Sequence, residues 1–286
     1  MPATRFIMNK TLDEKYELLL QNLEKLKKTV VAYSGGVDST FLLKAAVDAL
    51  GSENVLACIG VSSSLSKTQY NHAIEFAKLI GARVEEVKVQ EIYDAEYSAN
   101  SPDRCFHCKS HLYSVLNEIA QKNNFGTVIC GCNFDDKDDF RPGNRAADIK
   151  GVSSPLMEAE MTKDDIRALS RKLNMPTSDL PASPCLASRI TYGLKITEQR
   201  LKQVEEAEDF LRELGFVEFR VRHHDTIARI EVKPEDLVKL IKNPNRNLII
   251  NKLKSLGFKF ITLDLQGFRS GSLNETLTDS QKQISI

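Results

Sequence analysis

Two hydrophobic periods alternate along the first half of the chain. Leu12, Tyr16, Leu19, Leu23 and Leu26 recur at helical spacing behind Thr11-Leu12-Asp13-Glu14, which has the form of a capping box. Thr29 to Tyr33 is a short apolar run and reads as a buried strand. A helix is predicted from Val37 or Asp38 through Leu42, Leu43, Ala46 and Val47. Val55 to Val61 predicts a second strand, and Ser66 can cap a helix through Ala73, Phe76, Ala77 and Ile80 that Gly81 closes. A third strand is expected at Val84 to Val89, a helix from about His107 to Lys122, and a fourth strand at Thr127 to Gly131. Strands alternating with helices predict an α/β fold, a parallel sheet with helices on both faces. Ligands of such sheets lie beyond the carboxyl ends of the strands. That edge would collect Ser34 to Ser39, Ser62 to Ser64 and Gly131 to Asn133.

The pattern changes in the second half. Thr162 is placed to cap a helix that turns Ile166, Leu169 and Leu173 inward. Met175 to Pro184 then holds three prolines and reads as a linker delivering Cys185. Beyond it a smaller α+β unit is predicted: a helix through Leu201, Val204, Ala207, Leu211 and Leu214, a hairpin of Val217 to His224 with Ile227 to Val232, a helical stretch from Pro234, and a strand at Phe258 to Leu263. The expected domains are therefore 1–190 and 191–286, the second for substrate binding or oligomer formation. From Thr278 onward the tail is polar.

Between the first strand and its helix stands Ser34-Gly35-Gly36-Val37-Asp38-Ser39. Two glycines let successive N–H groups curl toward one point, and the helix that follows adds its own unpaired N–H groups and positive dipole end. Ser34 and Ser39 add hydroxyl donors. Asp38 would repel a phosphate in that cradle unless a divalent cation lay between them, which implies Mg²⁺ with a polyphosphate. The Walker spacing G-x-x-x-x-G-K-[ST] is absent. An ordinary strand–turn–helix corner is the simpler alternative.

Cys105-Phe106-His107-Cys108 opens a predicted helix, with Arg104, His107 and Lys109 as cationic neighbours. These and the helix terminus favour thiolates. The pair alone fits a redox couple or half of a zinc site completed by His107 or His111. Cys185, in its proline-framed loop beside Ser188 and Arg189, brings the thiols to three. Three thiolates suit a [4Fe–4S] cluster with one iron left without a protein ligand, and structural zinc is the alternative. Cys58, Cys130 and Cys132, in or beside apolar strands, are expected in the core.

In the hairpin, a turn at Asp225-Thr226 sets Arg222 opposite Arg229 and Arg220 opposite Glu231. Arginines facing each other are unfavourable without negative charge between them. A phosphate or carboxylate clamp meets that need, and so does a solvated face relieved by Glu231. Asn133 to Gly143 carries Asp135, Asp136, Asp138 and Asp139; it is either a solvated turn or a cation- or substrate-ordering loop, with Asp139 and Arg141 the stronger candidates.

Composition narrows the choice of partner. Lys+Arg and Asp+Glu each number 39, so no global charge draws the chain to nucleic acid, and none is expected as a partner. No run approaches the ~18 apolar residues of a membrane span, and Met1 to Arg5 has no apolar signal region. A cytoplasmic protein without a membrane partner is expected, whose cysteines bind metal, react or pack rather than form disulfides.

Ser-Gly-Gly-Val-Asp-Ser resembles the signature of the PP-loop ATP-pyrophosphatases, which split ATP into AMP and pyrophosphate. Together with Asp-Phe-Arg-Pro-Gly, Cys185-Leu186-Ala187-Ser188-Arg189, Arg220-Val221-Arg222, Ile227 to Glu231 and Leu263 to Gly271, the chain resembles the ATP-dependent sulfur transferase family LarE. The resemblance implies a reaction performed twice. A carboxylate of pyridinium-3,5-dicarboxylate mononucleotide attacks the ATP α-phosphate, and a sulfur nucleophile then displaces AMP. It further implies that Ser34, Gly35, Gly36, Val37, Asp38 and Ser39, with Ser63 and Gly131 at neighbouring strand ends, hold nucleotide and Mg²⁺. Arg220 and Arg222 would take the substrate phosphate, oriented by Glu231. Ser188, Arg189, Arg269 and Lys109 would meet the remaining substrate charge. Family members with a single cysteine at the position of Cys185 give up its sulfur, whereas Cys105 and Cys108 make this chain look like the three-cysteine type. The sulfide source stays unknown, and a homo-oligomer is expected. Rival readings are a PP-loop tRNA thiolation enzyme, a non-catalytic nucleotide-binding iron–sulfur sensor and an ammonia-using PP-loop enzyme.

Overall fold

A computed structural model describes residues 10–137, 142–181, 184–269 and 271–278. The first helix, α1 (Leu12–Glu24), begins with the predicted capping box: Thr11 accepts from the Glu14 N–H and Glu14 reaches back to the Thr11 N–H. Next come β1 (Thr29–Tyr33), α2 (Val37–Leu50), β2 (Val55–Val61), α3 (Lys67–Ile80) and β3 (Arg83–Lys88). After the single-turn α4 (Ala95–Ser98), α5 (Arg104–Lys122) leads into β4 (Thr127–Cys130). The strands form a four-stranded parallel sheet in the order β3-β2-β1-β4.

Alternation within β1 decides which layer each side chain joins. Val31 and Tyr33 pack with α1, α2 and α3 on one face, through Leu19, Leu23, Phe41, Leu42, Ala73 and Ala77. Val30 and Ala32 face the other way onto Tyr113, Leu116 and Ala120 of α5, joined by Ala146 and Ala147 of α6 (Pro142–Ile149). After α7 (Pro155–Glu158), α8 (Lys163–Lys172) opens on a second capping box, Thr162 with Asp165.

The C-terminal unit follows the predicted order with a shorter hairpin. α9 (Glu198–Glu213) precedes β5 (Phe219–His224) and β6 (Ile227–Val232); Val217 and Glu218 stay outside the strand. After α10 (Leu237–Ile241) and α11 (Asn245–Ser255), β7 (Phe260–Leu263) pairs with β6 in parallel, giving the order β5-β6-β7. Phe219, Val221, Ala228, Ile230 and Val232 pack beneath α9 and α11. The other face of the hairpin carries Arg220, Arg222, Arg229 and Glu231, in the predicted register of Arg222 opposite Arg229 and Arg220 opposite Glu231. The two units meet where Ile190 bridges His223 of β5 and the Thr191 N–H bonds the His223 carbonyl at 3.2 Å. No helix among the described residues is long and apolar enough to cross a membrane.

Candidate functional site

The corner after β1 is built as a cradle. Gly35 has φ +72°, and a Cβ there would stand 2.5 Å from the Ala73 Cβ of α3, so only glycine fits. Ser34 Oγ lies 3.0 Å from Ser39 Oγ, and the Gly36 N–H donates to Ser34 Oγ at 3.4 Å. Gly36 caps α2 without a side-chain bond of its own, leaving the first-turn N–H groups of Val37 and its neighbours facing the carboxyl edge of the sheet. Gly35→Ala combines a left-handed φ with that overlap, so we expect a loss of about 1–3 kcal/mol or more in a denaturant melt. ATP affinity should fall with it.

Asp38 is not the isolated carboxylate that the sequence suggests. Lys163, first residue of α8, donates to both its oxygens at 2.7 and 2.6 Å. The Lys163 N–H in turn bonds Asp135 Oδ2 at 2.7 Å, so an acidic residue of the polar loop serves to hold the lysine's backbone. Lys163 was not legible as a site residue: it lies 125 positions from Asp38 and reads only as a helix start. Asp136 is buried and accepts from the Asn133 N–H at 3.0 Å. Asp139 and Arg141 lie outside the described residues.

The end of β2 connects this cradle to Cys185. Ser63 is exposed, whereas the buried Ser64 bonds Tyr97 Oη at 2.5 Å and its carbonyl accepts from the Leu186 N–H at 2.8 Å. Cys185 itself precedes a 3-10 turn, Leu186–Arg189. Its carbonyl accepts from Ser188 Oγ at 2.7 Å and from Arg189 at 3.2 Å. Arg189 also bonds the Pro184 carbonyl at 2.6 Å and Glu208 through Nε at 2.9 Å. Arg189, 3% exposed, is thus spent on shaping the loop that presents Cys185, and Ser188 shares that task.

α5 starts at Arg104, three residues before the predicted start, which puts Cys105 and Cys108 in its first turn. The two thiols and Cys185 lie close enough to influence one another, and Tyr97 borders both Cys108 and Cys185. Buried Asn100 links the two segments: its Nδ2 donates to the carbonyls of Ile190, Thr191 and Leu194 at 3.2, 2.8 and 3.0 Å. Its Oδ1 accepts from Arg104, whose guanidinium stacks 5.1 Å over the Tyr192 ring.

One expectation is reversed here. Burial raises the thiols of Cys105 and Cys108, and the opposing pull of Arg104 and Lys109 is the smaller effect. Both therefore rest as neutral thiols until a metal supplies the positive charge that holds a thiolate. His107 and His111 face acids, Asp103 at 3.4 Å and Asp94 at 2.6 Å. Among the described residues no three His, Cys, Asp or Glu side chains are drawn together around a single ion. Buried Glu91, whose Oε2 has no hydrogen-bond partner, and Tyr97 border the thiols, and neither stood out in the sequence.

On the hairpin face, Glu231 is fully buried and takes Arg222 in two parallel bonds of 3.0 and 2.9 Å. Arg229 adds a bond of 3.0 Å and Ser272 one of 3.1 Å. The charge between the facing arginines is thus the chain's own carboxylate. Arg222 also donates to the Ser188 carbonyl at 2.9 Å, tying the hairpin to the Cys185 loop. Arg220 lies 4.9 Å over Phe268, and burial, with Arg189 nearby, brings it down to about 10. Arg269 sits on the rim, bonded to Glu275 at 3.0 Å and lying 3.8 Å from Asp264. Lys109 stacks 5.4 Å over Tyr113 and lies on the same side of α5 as the thiols.

Comparison with known proteins agrees with this geometry. Residues 12–128 match the NAD synthase family model, a span running from α1 to β4. Over 273 residues, 95% of this chain and 98% of the relative, the chain is 40% identical to pyridinium-3,5-bisthiocarboxylic acid mononucleotide synthase of Lactiplantibacillus plantarum. An uncharacterised protein of Synechocystis is 40% identical over 93% of this chain and 99% of its own. Another, from Methanocaldococcus jannaschii, is 33% identical over 86% of this chain and 92% of its own. The chain belongs to the LarE family of pyridinium-3,5-bisthiocarboxylic acid mononucleotide synthases and is an enzyme of ATP-dependent sulfur transfer in the PP-loop superfamily.

Proposed function

We propose that this enzyme adenylylates the carboxylates of pyridinium-3,5-dicarboxylate mononucleotide and converts them to thiocarboxylates for a nickel-pincer nucleotide cofactor. The observation that carries the reading is the bond of Leu186 to Ser64, which sets Cys185 beside the carboxyl edge of the sheet that also carries Ser34 to Ser39. The NAD synthase family model matches residues 12–128 and the NAD synthetases about half of the chain, whereas the likeness to the mononucleotide synthase spans 95% of it, and an ammonia-using reaction leaves the three cysteines without a role.

In this mechanism Ser34, Ser39 and the first-turn N–H groups of α2 grip the pyrophosphate portion of ATP. Asp38 would hold Mg²⁺, which when bound offsets phosphate charge, and Lys163, freed from that carboxylate, would be available to phosphate oxygens. The substrate phosphate lies against Arg220, with Arg222 set by Glu231, so that its carboxylate is presented to the α-phosphate. A sulfur nucleophile then attacks the acyl carbon and AMP leaves. Cys105, Cys108 and Cys185 would hold a [4Fe–4S] cluster, which when bound supplies an iron free to carry exogenous sulfide. Structural zinc on the same three thiolates is the alternative, and an iron and labile sulfide count tells the two apart.

The test is anaerobic incubation with ATP, Mg²⁺, sulfide and the dicarboxylate mononucleotide. AMP, pyrophosphate and thiocarboxylate should form in equal amounts. Pyrophosphate released in equal amount without the mononucleotide would sink the reading. Lys163→Met should lower kcat/KM for ATP by about 10²-fold, the usual cost of losing one preorganised charge at a phosphoryl centre. Steady-state pyrophosphate release measures it.

A further inference from the structure

We propose that Cys130 and Cys132 form an oxidisable dithiol that closes to a disulfide and, through Gly131, loosens the ATP loop. Both join the core cluster as expected, Cys130 buried and Cys132 half-buried at its edge. The two sulfurs lie 3.3 Å apart, so a bond of about 2.05 Å needs about 1.2 Å of approach. Cys130 belongs to the core cluster under α5 and Cys132 packs at its edge, where Ser154 Oγ stands 3.3 Å from Cys130 Sγ and Asn144 Oδ1 3.3 Å from Cys132 Sγ.

The two cysteines cannot share the movement equally. Cys130 is fixed by its register with Ala32 of β1 and by its N–H bond to the Ser153 carbonyl at 2.9 Å. Cys132 lies past the end of β4, so approach falls on Cys132 and on the glycine that joins them. A Cβ on Gly131 would stand 2.9 Å from Ser39 N and 3.1 Å from the Asp38 carbonyl carbon. That backbone therefore lies directly against the first turn of α2. Displacing it presses on the N–H groups and the Ser39 hydroxyl that face ATP.

The chemistry is ordinary thiol–disulfide exchange with a low-molecular-weight disulfide as oxidant. Cys130 takes up the Cys132 proton across the 3.3 Å S–H···S contact, and the more accessible Cys132 sulfur so released attacks one sulfur of R–S–S–R, forming Cys132–S–S–R and expelling RS⁻. Cys130 then attacks the Cys132 sulfur and expels the second RS⁻. The two thiol protons end on the two RSH molecules, the oxidant is reduced by two electrons and the pair is oxidised by two. Hydrogen bonding from Cys132 lowers the Cys130 thiol to about 6, with Ser154 and Lys109 assisting against burial, so a thiolate is at hand near neutral pH.

Trypsin isolates the pair, because Lys122 and Lys137 flank it while Cys105 with Cys108, and Cys185, fall in other peptides. Purified enzyme is treated anaerobically with oxidised glutathione, alkylated and digested, and its affinity for a non-hydrolysable ATP analogue with Mg²⁺ is measured in parallel. We expect the 123–137 peptide to lose two hydrogens without a glutathione adduct, and the affinity to fall about tenfold and return with a dithiol reductant. Cys132→Ser should bind nucleotide with an affinity the oxidant does not change. Recovery of both cysteines as alkylated thiols overturns the proposal, as does a closed disulfide with unaltered nucleotide affinity. Neither readout requires sulfur transfer, so failure of the proposed reaction and failure of the dithiol switch are told apart.

Discussion

Cys185→Ala enzyme is expected to yield no thiocarboxylate, a loss of about 10³-fold or more, while still binding ATP. The substitution leaves Leu186, Ser188 and Arg189 in place, so the bonds that tie the loop to Ser64 and Glu208 persist and the fold should survive. Product mass spectrometry reads the loss directly. Iron and labile sulfide should fall in the same protein if Cys185 is the third ligand. The parent enzyme settles how sulfur is carried. If it is held on a cluster, the intact protein keeps its mass after turnover. If Cys185 surrenders its own sulfur, the mass drops by that of hydrogen sulfide and turnover stops after one event per chain.

Glu231→Ala should be the most destabilising single change in the C-terminal unit. Its carboxylate is fully buried and receives Arg222, Arg229 and Ser272, while Arg222 is itself 7% exposed. Removing it leaves a buried guanidinium without its counter-charge, a change that costs about 3–5 kcal/mol where it has been measured. Whole domains have about 5–15 kcal/mol to lose. A urea melt of the full chain should therefore show a markedly lower midpoint. Glu231→Gln should recover part of it, because the amide oxygen can still accept one bond. An unchanged midpoint in the alanine variant would mean that water replaces the carboxylate and that the face is wet.

What the sequence made legible follows from how local each signal is. The capping box at Thr11, the helix cap at Thr162, the four strands and the hairpin register all rest on spacings of two to four residues, and the folded chain has them. Boundaries drifted where a neighbour outside the window decides: α5 starts at Arg104 because Arg104 is locked to Asn100, four residues upstream. Long-range partners left no trace. Nothing near Asp38 announces Lys163, and nothing near the paired cysteines announces Tyr97 or Glu91. The thiol argument failed for a different reason: neighbouring cations are visible in a sequence, but the depth of burial that outweighs them is not. Cys130 and Cys132 do join the core as their apolar neighbours suggest, but the 3.3 Å between their sulfurs is not visible in the sequence.

Buried Asn100 joins the two cysteine-bearing segments. One amide side chain spans the turn before Cys105 and the segment after Cys185, which stand some eighty positions apart along the chain. The scaffold around the three sulfurs is thus tied by hydrogen bonds belonging to the polypeptide, so a cluster of the kind proposed there would be carried by the fold rather than hold it together. Small domains that fold only around their metal collapse under a chelator. Here stripping should give a colourless but still structured enzyme, ready to be reloaded without passing through the unfolded chain.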